Sequence, residues 1–358
     1  MPIVRADALA AYEARIFAAT GAPADEARMV ADHLVGANLR GHDSHGAIRT
    51  ASYVALAQSG ALHPGAHPHM VRESASTAVL DGEWNYGQVV AFHAMNLAIA
   101  KARDTGVGVV SAFHSGHIGR VGAYGEQAVA AGMIGIGGVN SPGVRLTAAY
   151  GGAHRRLGTN PIMIAMPTTN PAEPFVLDMA TSVVAEGKLR VAVNKGVQVP
   201  EHWIIDGDGR ATSEPRDFYG TGSNPTPGAL LPVGGATGGY KGFGLNMAME
   251  ALSGILSGAG TAVKGARGSN GVFLMALDPA RFTGLDTFVA MLAALIAHVQ
   301  EPPFAPGVNE VLTAGEPERR TMAQRRAHGI ELDDETWKQI GEAAASVGVS
   351  PVEIAPRA

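Results

Sequence analysis

The stretch GHDSHGAIRT, which begins at residue 41, sets two histidines, a serine, a carboxylate and an arginine within ten positions. An imidazole can hydrogen-bond a carbonyl or hydroxyl group, and a guanidinium can hold a carboxylate through two parallel hydrogen bonds. We expect a helix to begin near Ser44, with Ser44 or Asp43 as its cap. His45, Arg49 and Tyr53 then lie on one helical face, which suits a 2-hydroxy or 2-keto acid. By itself the stretch is equally compatible with a polar helix start or with part of a metal site.

A second polar motif, FHSGHIG, follows a predicted buried strand and precedes a predicted helix. Ligands of α/β proteins tend to bind at such strand ends. A histidine there has an ordinary pKa of about 6.5 and can transfer a proton at neutral pH. His117 or His114 is therefore a candidate acid/base, although a purely structural histidine also fits the pattern.

The two His-x-x-His pairs raise a rival from another class of enzyme, a metal-dependent hydrolase. The four candidate ligands are His42, His45, His114 and His117. Neither pair has the spacing that puts two ligands on one helical face with a glutamate between them, and acidic ligands are not obvious beside them. We therefore predict no metal site and keep the metal hydrolase as a distant alternative.

Two further motifs could contribute to a binding site. In FVLDMATSVVAEGK, Asp178 ends a predicted strand, where its carboxylate could orient a catalytic imidazole or bind a cofactor ribose. Thr181 or Ser182 could cap the next helix. In GGYKGFG, Lys241 and several glycines precede a helix predicted from Gly244, and free N–H groups at a helix start favour phosphate. The chain lacks G-x-G-x-x-G, which counts against an ordinary Rossmann dinucleotide site.

Apolar periodicity predicts the elements that position these groups. Residues 6–40 and the segment after the first motif are helical, and between residues 77 and 140 strands alternate with helices, which is typical of an α/β layer. The strands PIMIAMP and FVLDMA are joined only by TTNPAEP, which is too short for a crossover helix, so part of the sheet is antiparallel. Further helices are predicted over 285–300, 316–328 and 333–346.

Composition restricts the classes of function. The 358 residues include 27 basic and 32 acidic side chains with no long run of one sign, unlike a nucleic-acid-binding protein. The absence of cysteine excludes disulfides and thiol nucleophiles. The sequence shows no signal-peptide pattern and no apolar run of the roughly 18 residues that a membrane helix needs. We expect a cytoplasmic enzyme with a small-molecule carboxylate substrate, and neither a nucleic acid nor a membrane as partner.

Five motifs resemble, in the same order, blocks of the malate/L-lactate dehydrogenase family of NAD(P)-dependent oxidoreductases. They are GHDSHGAIR, HSGHIGRVGAYGEQAVAAGMIGI, LGTNPI, LDMATSVVAEGK and GGYKGFGLNMAMEALSGILSGA. The family includes ureidoglycolate and sulfolactate dehydrogenases and reductases of cyclic imino acids such as piperideine-2-carboxylate. The resemblance implies an α/β fold of non-Rossmann type, in which a mixed, largely antiparallel sheet flanked by helices binds the dinucleotide, and a homodimer.

The resemblance also implies a division of the chain. Residues 1–75 form an N-terminal helical part that contributes to the substrate site, residues 76–300 form the NAD(P)-binding mixed-sheet domain, and residues 301–358 form a C-terminal helical part. The implied cofactor is NAD or NADP.

Catalytic roles follow from the same resemblance. His117 is the expected acid/base, and Ser44 and His45 lie in the active site. Asp178 is expected beside the nicotinamide and the catalytic centre. In the direction of oxidation, His117 would accept the hydroxyl proton while hydride leaves for the nicotinamide.

Binding roles are implied as well. Arg49 is expected to hold the substrate carboxylate, with Thr159 and Arg120 in the same pocket. The expected cofactor-contacting residues are Asn140, Ser141, Asp178, Met179, Ala180 and Lys241. Arg120 stands where the family commonly has a small residue, so its charge bears on which substrate is used. We predict hydride transfer with a 2-hydroxy/2-keto acid of the malate, lactate or sulfolactate type; the alternative is an NADPH-dependent reductase of a cyclic imino acid.

Overall fold

The computed structural model of the chain describes residues 1–263 and 269–350. Residues 351–358, the end of the predicted C-terminal part, lie outside the described residues, as do residues 264–268. The helices of the described part are α1 (Ala6–Ala19), α2 (Ala24–Leu39), α3 (Thr50–Gln58), α4 (Gly87–Thr105), α5 (Gly122–Ala130), α6 (Glu186–Lys195), α7 (Gly235–Glu250), α8 (Leu285–Val299), α9 (Glu316–His328) and α10 (Asp334–Ser346). Its strands are β1 (Ile3–Val4), β2 (His69–Glu73), β3 (Thr77–Asp81), β4 (Val107–Ser115), β5 (Ile134–Asn140), β6 (Thr147–Ala148), β7 (Arg155–Leu157), β8 (Ile162–Met166), β9 (Phe175–Met179), β10 (Ile204–Ile205), β11 (Ala211–Thr212), β12 (Ala229–Leu230), β13 (Asn270–Leu277) and β14 (Ile330–Glu331).

The central layer is a seven-stranded sheet with the strand order β2-β3-β4-β13-β5-β8-β9. Within the described residues, β3 and β4 are its parallel pair, and every other neighbouring pair is antiparallel. The short connection between β8 and β9 produces one of the antiparallel pairs, as expected. A smaller sheet has the order β11-β10-β12-β6-β7. The predicted α/β fold, a mixed, largely antiparallel sheet flanked by helices, is confirmed.

The main hydrophobic core lies between the central sheet and helices α4 and α5. Val110 of β4 and Leu274 of β13 have no exposed surface and belong to one cluster with Met95 of α4. At Gly108 of β4 an added Cβ would overlap the backbone of Ala98 in α4, so glycine permits the helix to rest directly on the strand. Burial on this scale stabilises a fold by roughly 25 cal/mol per Å² of apolar surface. Because β4 and β13 are part of this core, their ends, which carry polar residues, are held in place.

The N-terminal and C-terminal helical parts share a second core. Leu9 and Ile16 of α1 belong to one buried cluster with Ile340 of α10, and β1 pairs with β14. The two parts predicted at residues 1–75 and 301–358 therefore pack against each other. Strand β2 lies within the predicted N-terminal part but pairs with β3, so the central sheet begins before residue 76.

A buried carboxyl anchors the start of α3. Glu13 of α1 has no exposed surface and accepts a hydrogen bond of 2.7 Å from the hydroxyl of Thr50. Burial raises the pKa of Glu13 to about 8, so the group is predominantly neutral at pH 7. This contact fixes the start of α3 at Thr50, the last residue of the GHDSHGAIRT motif.

One edge of the central sheet collects the strand ends that carry polar side chains. Strand β4 ends at Ser115, opposite Asn270 at the start of β13. Strand β5 ends at Asn140 on the other side of β13, and β9 ends at Met179 opposite the start of β8. The predicted site residues of these strands and of the loops after them therefore face one edge.

The helix predicted to begin near Ser44 begins later. Two single 3₁₀ turns, Asp43–His45 and Ala47–Arg49, precede α3 and are separated by Gly46. Neither Ser44 nor Asp43 is a cap; the carboxylate of Asp43 accepts hydrogen bonds from Arg325 and Asn38 instead. The expected helical face of His45, Arg49 and Tyr53 is therefore wrong, and these residues come together through tertiary folding.

The helix predicted from Gly244 begins earlier. Helix α7 starts at Gly235 and includes the glycine-rich segment, so Lys241 lies in its second turn. At Gly242 an added Cβ would overlap the backbone of Val233, which shows why this helix tolerates a glycine. Close packing here outweighs the low helix propensity of glycine.

Candidate active site

Two imidazoles from distant parts of the chain stack against each other. His45 lies in the first 3₁₀ turn, and His117 lies in the loop between β4 and α5. Their ring centroids are 5.3 Å apart and their planes differ by 8°. The structure thus joins the two motifs that the sequence suggested as halves of one site.

The ring of His117 is held from behind by a buried phenol. The hydroxyl of Tyr53 lies 2.6 Å from Nδ1 of His117 and 3.3 Å from its carbonyl oxygen. The side-chain amide of Gln88 donates to the same hydroxyl at 2.9 Å. Tyr53 and Gln88 are 2% and 1% exposed, so little freedom remains for the ring that they orient.

Both rings favour the neutral form. Burial, followed by the positive charge of Arg49, lowers the pKa of His45 to about 3. Burial lowers the pKa of His117 well below its ordinary value, and the neighbouring His45 and Arg49 act in the same direction. At pH 7 both imidazoles are therefore neutral, the protonation state in which a general base acts.

Arg49 presents an uncommitted cation to the same place. Its Nε donates a hydrogen bond of 2.7 Å to the carbonyl of Ser44, while its two terminal nitrogens have no partner among the described residues. A guanidinium anchored at Nε keeps its outer edge free for a two-pronged bond to a carboxylate. The side chain of Ser44 approaches Gly187 at the start of α6, which brings the sheet domain to this side of the site.

Asp178 contacts the start of α5 and has no contact with His117 in the described residues. Its Oδ2 accepts a hydrogen bond of 2.7 Å from the backbone N–H of Gly122, the first residue of α5, and lies 3.8 Å from Nε of Arg120. The carboxylate therefore stabilises the positive end of α5. The expectation that Asp178 directly orients the catalytic imidazole finds no contact in the described residues.

The Arg120 side chain lines a cavity together with Arg40, Glu126 and Glu318. The side chain is 3% exposed, and NH1 donates 2.9 Å to Glu126, which is also bonded by Arg40. Its Nε lies 3.8 Å from the carboxylate of Asp178. The guanidinium is mostly buried and paired with acids, and it positions Asp178 and α5; a role of Arg120 in substrate binding stays a prediction.

Asn270 connects the loop that carries His117 with the end of β5, and no motif in the sequence pointed to it. Its Oδ1 accepts a hydrogen bond of 2.9 Å from the N–H of Ile118. Its amide nitrogen donates to the carbonyl of Asn140 and to the hydroxyl of Ser141, at 3.1 and 3.0 Å. Asn270 therefore bridges the predicted cofactor residues Asn140 and Ser141 to the loop that carries His117.

The remaining predicted cofactor positions lie around Thr181. Its N–H and its hydroxyl both donate to the carbonyl of Thr159 at 2.9 Å. Thr181 was expected to cap the next helix, and these bonds show that it does not. The carbonyl of Thr181 accepts a hydrogen bond from the N–H of Val233. Helix α7 packs on the backbone of Val233 through Gly242, the residue after Lys241. Met179 and Ala180 immediately precede Thr181 and are partly exposed. Thr159 thus contributes its backbone carbonyl to the contacts of Thr181, and the side chain of Lys241 is exposed.

The four histidines of the metal alternative do not assemble. His42 pairs with Glu318 at 3.5 Å, and His114 bonds Asp81 at 3.0 Å, while His45 and His117 stack on each other. Within the described residues, the one group able to hold a metal ion contains none of the four. A His-site metal hydrolase is therefore not supported.

Together these residues form a site with a neutral imidazole, an arginine whose terminal nitrogens have no partner in the described residues, and a polar sheet edge, a combination chemically able to move a proton and bind a small carboxylate. The chain matches the family model described as Malate/L-lactate dehydrogenase over residues 4–341. It therefore belongs to the malate/L-lactate dehydrogenase family and is an oxidoreductase; dehydrogenases of this family use a nicotinamide cofactor.

Curated relatives carry related names. A malate dehydrogenase of Pyrococcus abyssi is 39% identical over 97% of this chain and 96% of its own length. An L-sulfolactate dehydrogenase of Methanocaldococcus jannaschii is 37% identical over 92% and 93%, and an L-lactate dehydrogenase of Cupriavidus necator is 35% identical over 94% and 95%. These names support a 2-hydroxy acid dehydrogenase.

Solved structures share the fold. The malate dehydrogenase of Pyrococcus horikoshii superposes with a TM-score of 0.87 at 36% identity, covering 98% of this chain and 97% of that one. A delta1-piperideine-2-carboxylate reductase of Pseudomonas syringae superposes with a TM-score of 0.81 at 27% identity, covering 96% and 100%. None of the described helices of this chain is long and apolar enough to span a membrane.

Proposed function

We propose that the chain catalyses reversible hydride transfer between NAD(P)H and a small 2-hydroxy/2-keto acid of the malate, lactate or sulfolactate type, with His117 as acid/base. The observation that carries this proposal is the pairing of a neutral, hydrogen-bonded His117 with the unpartnered edge of Arg49. A 2-hydroxy acid needs both groups: a base for its hydroxyl proton and a cation for its carboxylate.

The contacts of Tyr53 allow one proton arrangement that leaves His117 ready to act. Nδ1–H of His117 donates to the Tyr53 oxygen, and the Tyr53 hydroxyl donates to the His117 carbonyl. The oxygen also accepts from Gln88, so each of these contacts has a donor and an acceptor. Nε2 then keeps its lone pair and takes the substrate's hydroxyl proton during oxidation, and returns it during reduction.

The substrate would be gripped from the side of the first motif. Arg49 would bind its carboxylate, while His45 and Ser44 would orient the reacting oxygen. His45 suits this role because its ring is stacked on His117 and its buried Nδ1 has no partner among the described residues.

The sheet edge fits a nicotinamide cofactor, which when bound would accept or return the hydride. Asn140 keeps a buried Oδ1 without a partner in the described residues, and Lys241 is exposed with no acidic partner there. These groups, with Ser141, Met179 and Ala180, would hold the cofactor. Asp178 would act at the same place by fixing the start of α5, and Arg120 would fix Asp178.

Purified protein should be assayed for oxidation of NADH and of NADPH with oxaloacetate, pyruvate and sulfopyruvate. We expect turnover with at least one keto acid, and the two cofactor arms decide between NAD and NADP. Turnover confined to piperideine-2-carboxylate or pyrroline-2-carboxylate would overturn the substrate class in favour of an imino acid reductase.

We also propose that the protein is a homodimer. The end of α7 and the π-helical turn after it expose Met247, Ile255 and Leu256, and α8 exposes Met291 and Leu295 one turn apart. Exposed apolar stripes of this kind mark protein interfaces. Sedimentation equilibrium should give twice the chain mass, and a monomer at assay concentration would refute the proposal.

A further inference from the structure

A second cluster of titratable side chains lies outside the catalytic residues, where the β2–β3 hairpin meets the segment before α4. Nδ1 of His69, the first residue of β2, is 3.0 Å from Oε1 of Glu83. Asp81, the last residue of β3, accepts a hydrogen bond of 2.9 Å from the N–H of Glu83. One ligand atom from each of the three side chains lies within 4.8 Å of the other two.

We propose that His69, Asp81 and Glu83 bind a divalent transition metal ion of the zinc type. Zinc takes histidine nitrogen and carboxylate oxygen at about 2.0–2.2 Å, so tetrahedral ligands lie roughly 3.4 Å from one another. In the structure the three ligand atoms lie within 4.8 Å of one another, so a bound ion would draw them closer together. A histidine ligand disfavours Mg²⁺ and Ca²⁺, which prefer oxygen.

The surroundings prepare Asp81 for this role. Nδ1 of His114 lies 3.1 and 3.0 Å from the two carboxylate oxygens of Asp81, and the His114 ring stacks on Trp84 at 4.9 Å. A carboxylate has lone pairs for a metal beside these bonds. Outer hydrogen bonds of this kind orient metal ligands.

Three protein ligands leave the fourth position of a tetrahedral ion open to water, and the exposure of the cluster fits that arrangement. The side chains of His69 and Glu83 are 56% and 46% exposed, whereas that of Asp81 is 16% exposed. The metal would thus be held by two side chains that water reaches and by one, Asp81, that is mostly enclosed.

The cluster is joined to the back of the catalytic loop. Trp84 N–H donates 2.7 Å to the carbonyl of His114, and Gly116 N–H donates 3.1 Å to the carbonyl of Asn85. Because Glu83 directly precedes this segment, a bound ion would tie the edge strand β2 to the backbone that supports His117. The metal would stabilise the fold and take no part in proton transfer.

Isothermal titration of EDTA-treated, dialysed full-length protein with ZnCl₂ tests the proposal. We expect one saturable site per chain and a higher unfolding temperature when it is filled. His69→Gln and Glu83→Gln should each weaken that site by at least about tenfold. His298→Gln is the matched control, because His298 is an exposed histidine 3.7 Å from Glu301 that belongs to no group of three metal-binding residues in the described chain.

Several results would overturn the proposal. They are the absence of saturable zinc binding, equal weakening by His298→Gln, or a site that survives both cluster variants. Loss of the site in His45→Gln while His69→Gln retains it would assign the ion to the stacked imidazoles instead. None of these readouts depends on turnover, so the metal site and the proposed reaction can fail separately.

Discussion

The molecule contains two histidine regions whose chemistry differs although each joins distant parts of the chain. His45 and His117 stack on each other, with burial and a neighbouring cation favouring their neutral forms. His69 and His114 lie at the surface, each within 3.1 Å of a carboxylate. The first region has acceptors for protons beside a free guanidinium, and the second has acids that suit a cation.

His-x-x-His spacing therefore does not assign a role to either histidine. His114 and His117 are three residues apart, yet one bonds Asp81 and the other bonds Tyr53. What separates them is where β4 ends: His114 still belongs to the strand, and His117 follows the turn onto the polar sheet edge. Burial and charge partners then determine which ring can act as a base.

Substituting these two neighbours should produce the largest contrast. His117→Ala removes the proposed base and should lower kcat by roughly 10²–10⁴-fold, since general acid/base catalysis contributes about that much. His114→Asn should keep kcat within about twofold; asparagine tolerates the positive φ of 46° at this position. Fluorescence titration of NAD(P)H checks that both variants still bind cofactor. Wild-type turnover in His117→Ala would refute the assignment.

Arg49 should show the next largest effect. In Arg49→Lys the ammonium cannot both bond the Ser44 carbonyl and present two parallel N–H groups. We expect KM for the keto acid to rise by roughly 10–100-fold, as for loss of a charge-assisted hydrogen bond. Arg28→Lys, at an exposed arginine paired with Asp32, is the control. An unchanged KM would remove Arg49 from the substrate site.

Tyr53 should act through His117. Tyr53→Phe removes the hydrogen bond at Nδ1 and should lower kcat by about tenfold with less change in KM. Because Nδ1–H donation to the phenol favours the protonated ring, its loss should move the acid limb of the pH–rate profile to lower pH. Tyr86→Phe, whose hydroxyl contacts Thr20 at 2.8 Å, is the matched control. An identical pH profile in both variants would assign Tyr53 a packing role alone.

The last prediction concerns stability in acid and leaves turnover aside. The folded pKa of His45 is about 3, below its unfolded value, so the unfolded chain binds more protons at acid pH. Its contribution is therefore fully present above about pH 6.5 and is lost as pH falls towards 3, by at most about 1.4 kcal/mol per pH unit. Denaturant unfolding of His45→Gln should show a shallower acid loss than the wild type. A difference that stays constant from about pH 4 to 8 would contradict this.

Much of the fold was predictable because local patterns determine it. The long helices α4 and α8 follow their apolar periodicity, and the antiparallel β8–β9 pair follows from the length of its connection. The predicted starts of α3 and α7 were wrong because tertiary packing at Gly46 and Gly242 overrides local propensity.

The candidate site was predictable in its motifs and not in its contacts. His117, His45 and Arg49 carry recognisable chemistry in short motifs. Gln88 and Asn270 do not, because a buried amide is distinguished only by the groups that it bonds.

Residue types and their local order were sufficient to predict the family, the mixed sheet and the side chains able to move a proton or hold a carboxylate. The stacking of His45 on His117, the contact of Arg120 with Asp178 and the pairing of His114 with Asp81 became visible only in the folded chain. The physical reason is that burial and neighbouring charges set the protonation and availability of a side chain, and both arise from residues far apart in the chain.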